Sequence, residues 1–310
     1  MEFFKRQTHI NFMRTRKIAL TMSIVVFVAA VISLVFGRGL NLGIDFTGGV
    51  VVQVTYPQAV QTQTVRQTLQ KAGFKSFVVQ HFGSPQDIMI RLQPRKDQVA
   101  KTVGGQVVSA LQAQNSKVVE KQVNVVGPQV GNELRTKGYL ALIVTLIMIF
   151  IYLLVRFEWR LALGAVAATL HDLVFVVGIF SFAHLDFNLD VLAAVLAVLG
   201  YSVNDTVVVF DRIRENFKRM RRGDSIEIIN AAINQTLSRT IMTSGMTLLV
   251  VIALLVVGGP SLRGFSLALL IGIGVGTYSS IYIASATAYM LGVSRQNFAT
   301  KKRNTADDMP

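Results

Sequence analysis

Residues 198–210 read VLGYSVNDTVVVF. With its flanks the run is apolar and long enough to cross a bilayer, yet Asn204 and Asp205 stand side by side within it. An acid at that depth costs about 2.5–3.5 kcal/mol on insertion scales. It must therefore face other protein or a hydrated path. The same apolar pattern recurs along the chain, so this segment decides the fold class.

The 310 residues are 52% hydrophobic and 15% charged, with a mean hydropathy of +0.49, too apolar for an ordinary soluble domain. Residues 18–36 form a first span. It is longer than a signal h-region and is followed by GRGL without an A-x-A exit, so a retained signal-anchor helix is expected. Further spans are expected over 138–155, 161–182, 189–210, 240–257 and 264–291, each near the ~20 residues that cross the hydrocarbon. Lys and Arg number five in residues 1–17, two in 156–160, seven in 211–239 and four after Leu291, against none in 183–188 and one in 258–263. The positive-inside rule puts 1–17 and the tail 292–310 in the cytoplasm and 37–137 outside. The +14 net charge sits beside apolar segments and does not point to nucleic acid. Absence of cysteine excludes disulfides and thiolate metal sites.

The outer region 37–137 has its own pattern. Val50, Val52, Val54 and Tyr56 alternate as in a strand. Val65, Leu69 and Ala72 share a helical face that stops at Gly73. FKSFVVQHF and DIMIRL read as two strands, 98–114 as a second helix weakened by Gly104–Gly105, and KVVEKQVNVV as a last strand. The order βαββαβ predicts a ferredoxin-like domain. The expected architecture is an α-helical polytopic membrane protein of six spans with this small α+β domain between the first two. In the loop 211–239, Ile226, Ile229, Ile233 and Leu237 make one apolar face. Asp224 and Glu227 have capping-box spacing at its start. Such a stretch lies along the membrane on anionic lipid, or forms a solvated linker helix.

Six residues separate Asp205 from Asp211, about 9 Å along a helix, so Asp205 sits within hydrocarbon depth on the cytoplasmic half. Ser202 shares its face at i, i+3, and Asn204 lies under Gly200 at i, i+4. A carboxyl in low dielectric holds its proton more readily than one in water, which a proton relay needs and a structural acid does not. Arg239, opening the fifth span with Thr240 and Thr243, is the natural partner, although Cβ vectors tilt it toward the cytoplasm. The bland readings are a hydrogen-bonded structural acid and an interface-anchoring arginine. His171 and Asp172 form a second polar pair in the third span, about 100° apart and so not expected to bond each other. Either joins a proton chain, or both bond neighbouring helices. They supply too few ligands for a metal. Gly272 and Gly276 form a small-xxx-small packing face. GIDFTGG (43–49) allows a tight turn into the first strand but lacks the lysine and following helix of a phosphate loop. No nucleotide motif or nucleophile–base arrangement appears, so an enzyme that hydrolyses nucleotide is not expected, and no cofactor is implied beyond protons as coupling ion.

GIDFTGG after the first span, LGYSVNDTVVVFDRIREN closing the fourth and INQTLSRTIMTSGMT leading into the fifth together resemble the SecD/SecF family of protein-export membrane proteins, across nearly the whole chain. The resemblance implies an RND-like half bundle in the bacterial inner membrane, paired with SecD, a homologous six-span protein. It implies that the proton motive force drives the outer domains to pull secreted polypeptides from SecYEG after the ATP-driven SecA step, with YajC as accessory partner. By motif match Asp205 takes the proton-site aspartate, Arg239 and Thr243 the polar residues facing it, and Gly43, Asp45, Gly48 and Gly49 the motif outside the first span. Two rivals stay open. A proton-coupled small-molecule exporter half would need a substrate pocket in the outer domain. In a non-transporting scaffold the polar residues would only glue helices.

Overall fold

The computed structural model describes residues 8–37, 39–74, 77–92, 100–220 and 222–298. Residues 1–7 of the expected N-terminal segment and 299–310 of the expected tail lie outside the described residues. In chain order the elements are α1 (Arg16–Val35), β1 (Asn41–Leu42), α2 (Ile44–Thr47), β2 (Gly49–Thr55), α3 (Thr62–Lys71), β3 (Phe77–Phe82), β4 (Ser84–Leu92), α4 (Ala100–Gln114) and β5 (Val119–Val126). There follow α5 (Pro128–Arg156), α6 (Trp159–Phe182), β6 (Asp186–Phe187), α7 (Leu189–Arg219), α8 (Ser225–Val257) and α9 (Gly259–Ser279). From α9 the chain passes through a π-helical turn, Ser280–Ala284, into α10 (Ser285–Met290) without a break. Among the described residues, six helices, counting α9 to α10 as one, are long and apolar enough to cross a membrane.

Four of them run past the apolar segments that foretold them. The span expected over 138–155 begins at Pro128, with Gly127 as N-cap and proline at the first position, where its missing N–H costs nothing. The span 189–210 continues to Arg219, 240–257 begins at Ser225, and 264–291 begins at Gly259. Helical hydrogen bonds do not require an apolar sequence, so polar turns carry on beyond the hydrocarbon. The loop 211–239 is therefore corrected: it is mostly the end of α7 and the start of α8. Ile229, Ile233 and Leu237 are buried in the protein, with Ile226 packed against the same cluster. The flank of that face is occupied too, since Asn230 Oδ1 accepts from Met13 N and Asn234 Oδ1 from Ile10 N, both at 2.9 Å. Asp224 is the N-cap, but its carboxylate bonds the adjacent Ser225 N–H at 2.6 Å instead of closing a capping box with Glu227.

The sheet domain has strand order β3-β4-β2-β5, antiparallel throughout. This is the ferredoxin-like βαββαβ topology. Val50, Val52, Val54, Ile88 and Ile90 are fully buried under α3 (Val65, Leu69) and α4 (Val107, Leu111). Ala72, expected on that face, is exposed because α3 ends at Lys71 and the chain turns through Gly73 at φ +89°. α4 runs on through Gly104–Gly105, and Gly104 has a packing role. Its bare Cα lets the helix settle on Val123, whose Cγ1 would stand 2.7 Å from an added Cβ. The second face of the sheet (Val51, Gln53, Met89, Arg91) looks down on the helical bundle across a cavity of about 630 Å³.

Two contacts fasten the domain to the helices. β1 pairs in parallel with β6, joining the chain after α1 to the α6–α7 turn. Asp186 in that turn accepts from Asn41 Nδ2 at 2.6 Å and Gln80 Nε2 at 2.9 Å and pairs with Arg91 at 3.0 Å.

Candidate functional site

Within the bundle the apolar packing falls into two clusters. One, near the sheet domain, is built from Val176, Phe180, Val191, Val195, Val198 and Ala268. The other, at the far end, includes Ala165, Ala168, Val209, Phe210, Ile213, Ile229 and Ile233. Between them α6, α7, α8 and the α9–π junction meet in a layer of polar side chains, each buried: Asp172, Ser202, Asp205, Thr240, Ser279 and Ser280.

Asp205, on α7, is 5% exposed. Thr240 Oγ1 of α8 donates to its Oδ1 at 2.8 Å, and Ser280 Oγ, the first residue of the π turn, donates to Oδ2. The cost of bringing a carboxyl to this depth is thus offset by two hydroxyl donors from separate helices. Close approach of α9 makes the second bond possible. At Gly272 an added Cβ would overlap Val198 Cγ2 at 2.2 Å, and at Gly276 one would stand 3.3 Å from Ser202 Cβ. The small-xxx-small face is a packing face, as its spacing predicts.

Several expected site residues lie elsewhere. Arg239 is exposed and is not a hydrogen-bond donor to Asp205, whose oxygens are taken by Thr240 and Ser280, but it is near enough for its positive charge to act on that carboxyl through space. Thr243 is exposed, and its hydroxyl returns to the carbonyls of Arg239 at 3.0 Å and Thr240 at 3.1 Å. Both follow from the helical wheel: when Thr240 points inward, Arg239 turns about 100° away and Thr243 about 60° away to the same side. Asn204 is exposed beside Gly200 for the same reason, while Ser202 and Asp205 face inward. Ser202 bonds Asp172 Oδ2 at 2.5 Å and does not touch Asp205. His171 and Asp172 do bond each other, contrary to expectation, with Nδ1 and Oδ1 3.0 Å apart. Their Cβ vectors diverge, but the carboxyl group swings back far enough to meet the ring.

Ser279 and Ser280 went unread in the sequence, because serines in spans ordinarily bond their own helix carbonyls. Their one signal was adjacency: two hydroxyls a residue apart within the GIGVGTYSS packing motif point at two different helices.

The GIDFTGG stretch forms a joint. Gly43 N donates to Phe187 O at 2.8 Å, and Asp45 Oδ2 accepts from Leu189 N at 3.0 Å, an anionic group at the start of α7. Gly48 (φ +70°) and Gly49 (φ +139°) take conformations other residues rarely adopt. A Cβ on Gly48 would fall 2.8 Å from Pro128 Cα, and one on Gly49 2.7 Å from Leu92 O. The motif thus knits β2, α5 and the head of α7 into one point, and α7 carries Asp205.

A family model described as "Protein export membrane protein SecD/SecF, C-terminal" matches residues 106–294. The chain belongs to the SecD/SecF family. A second model, "SecD/SecF GG Motif", matches residues 33–60, which contain the joint. Among curated SecD/SecF proteins, the protein translocase subunit SecF of Vibrio alginolyticus is 46% identical, covering 100% of this chain and 99% of the relative. That of Escherichia coli O157:H7 is 43% identical over 94% of this chain and 91% of the relative. The crystal structure of SecDF, a translocon-associated membrane protein from Thermus thermophilus, superposes with a TM-score of 0.84 at 37% identity. That match covers 93% of this chain and 39% of the SecDF chain, so the present protein spans well under half of the solved assembly.

Proposed function

We propose that the chain is the SecF-type half of a proton-driven protein-export unit. The observation that carries the reading is Asp205: a carboxyl buried at membrane depth and hydrogen-bonded by the hydroxyls of Thr240 and Ser280, with no cation among its hydrogen-bond donors in the described residues. Hydroxyls donate to a carboxylate and accept from a carboxylic acid, so the same cage serves both protonation states. Protons moving down the membrane gradient through this site would drive the sheet domain, on the periplasmic side, to draw secreted polypeptides from SecYEG once SecA has begun their transfer. Energy would come from the gradient, with no nucleotide hydrolysed by this chain.

The partner is SecD. Asn204, Arg239 and Thr243 are exposed on the bundle beside the small residues Ala197 and Gly200. Lipid does not cover polar groups at such depth, whereas a second helix bundle packs well against small residues. The SecDF structure, of whose chain this protein covers 39%, supports a covering half of the same kind. YajC is the accessory partner in this reading. The membrane is the bacterial inner membrane, with both termini and the basic ends of α5 and α7 at the cytoplasmic, anionic-lipid face.

The test is Asp205→Asn, which keeps shape and removes the titratable group, in inverted membrane vesicles assayed for gradient-stimulated export. The expected result is loss of the stimulation with copurified SecD and ATP-driven export unchanged. Full stimulation in the variant would refute the reading. Activity that falls only in step with lost assembly would favour the scaffold.

A further inference from the structure

We propose that Asp172 is a second proton-carrying carboxyl, working in series with Asp205 through the adjacent hydroxyls Ser279 and Ser280. The proposal rests on the proton role of Asp205 and adds to it a second site, an order along the membrane normal and a connecting element.

Asp172 is completely buried on α6, and its oxygens are held much as those of Asp205 are. Ser202 Oγ donates to Oδ2 at 2.5 Å, Ser279 Oγ to the same oxygen at 2.6 Å, and His171 Nδ1 lies 3.0 Å from Oδ1. No arginine or lysine is among these partners. A structural acid is ordinarily tied by a cation or by backbone N–H groups. This one is tied by groups that can reverse donor and acceptor roles.

The two acids are joined by consecutive residues. Ser279 meets Asp172 and Ser280 meets Asp205, because neighbours on a helix diverge by about 100°. Each hydroxyl also has a second acceptor within reach on its own helix: Gly276 O lies 3.1 Å from Ser279 Oγ and Thr277 O lies 3.0 Å from Ser280 Oγ. When a carboxyl is protonated, its serine can turn its own proton to that carbonyl and accept the carboxyl's. The junction lies where α-helix gives way to π-helix at Ser280. Such turns recur at functional sites.

The order follows from α7. Asp172 meets that helix at Ser202, three residues from Asp205 toward the sheet domain, about 4.5 Å along the axis. Asp172 is therefore the acid nearer the sheet-domain side and Asp205 the one nearer the far side. In the transfer step one proton leaves Asp172 as one joins Asp205, handed from the Ser279 hydroxyl to that of Ser280 by a water between them, and nothing else is consumed. A further observation marks the entry. His171 Nε2 is buried with no hydrogen-bond partner among the described residues, and when Nδ1 donates its proton to the Asp172 carboxylate, Nε2 keeps a free lone pair for a water or an incoming proton. Around it, α6 brings Phe175 and α9 brings Tyr278, whose hydroxyl bonds Ser23 of α1 at 3.0 Å.

The test is an infrared difference titration of the complex with SecD, this chain alone carrying isotope-labelled aspartate, run on wild type, Asp172→Asn and Asp205→Asn. Two buried carboxyl bands are expected, one lost in each variant, and proton uptake into proteoliposomes falls roughly a hundredfold in Asp172→Asn. A single titrating band that survives Asp172→Asn, with uptake unchanged, overturns the series and leaves Asp205 as a lone site. A band and uptake that survive Asp205→Asn overturn the reading of Asp205, and the series with it. If Asp172→Asn does not assemble, the wild-type spectrum decides, two labelled bands supporting the series and one overturning it.

Discussion

A group that must gain and lose a proton inside a membrane needs partners that suit both of its charges. An arginine bonded to Asp205 would favour the ionised form alone, whereas Thr240 and Ser280 each carry a rotatable hydroxyl. Ser280→Ala and Thr240→Val therefore weaken the site without removing the acid. Each is expected to cost about 1–3 kcal/mol of stability through the lost bond to a buried carboxyl and to reduce gradient-stimulated export while SecD still copurifies. Thr206→Val is the control: its buried hydroxyl has no partner, so the isosteric change should leave both readouts near wild type. Melting and export measured on all three variants check this. An effect of Thr206→Val equal to the others would show that bulk polarity matters and the specific bonds do not. Asp205 itself was legible in the sequence, because depth and neighbours on one turn are local quantities. Its partners were not. Formal charge pointed to Arg239, but contact depends on which way a helix 35 residues away is rotated, and a one-residue step separates an inward Thr240 from an outward Arg239.

At the level of elements the site depends on how near α9 comes to α7. Val198 presses into the space left by Gly272, and Gly276 leaves room beside Ser202 and Asp172. Gly272→Ala pushes the helices apart and is expected to destabilise the bundle by about 1–3 kcal/mol, the usual cost of overpacking. Val198→Ala added to it should recover much of that loss, since it removes the methyl groups at 2.2 and 2.6 Å. Thermal unfolding of the double-mutant cycle measures the coupling, and strictly additive effects would contradict this packing. The helices were foreseen from apolar length, and the sheet from alternating valines. Their true ends were not, because Pro128 and Ser225 begin helices in polar sequence where hydropathy is silent. The stretch 225–239 was misread for a related reason: an amphipathic face shows that something apolar covers it, but not whether lipid or protein does.

Across the whole molecule, the joint of the sheet domain and Asp205 stand on one helix, α7. Asp45 bonds the first N–H of α7, Asp186 gathers Asn41, Gln80 and Arg91 just before that helix begins, and Asp205 lies 16 residues further along it. That is about 24 Å of continuous helix. A change of charge or hydrogen bonding at Asp205 that tilts α7 would move the joint on which β2 and α5 also rest. Neither the glycine motif nor the acid disclosed this connection in the sequence, since 160 residues separate them. The central claim is that protons pass through Asp205. The most direct measurement is gradient-driven proton uptake by the complex with SecD in proteoliposomes, wild type against Asp205→Asn at matched incorporation. The account predicts that uptake in the variant falls to the level of empty liposomes. Uptake equal to wild type would contradict it and leave Asp205 a structural acid.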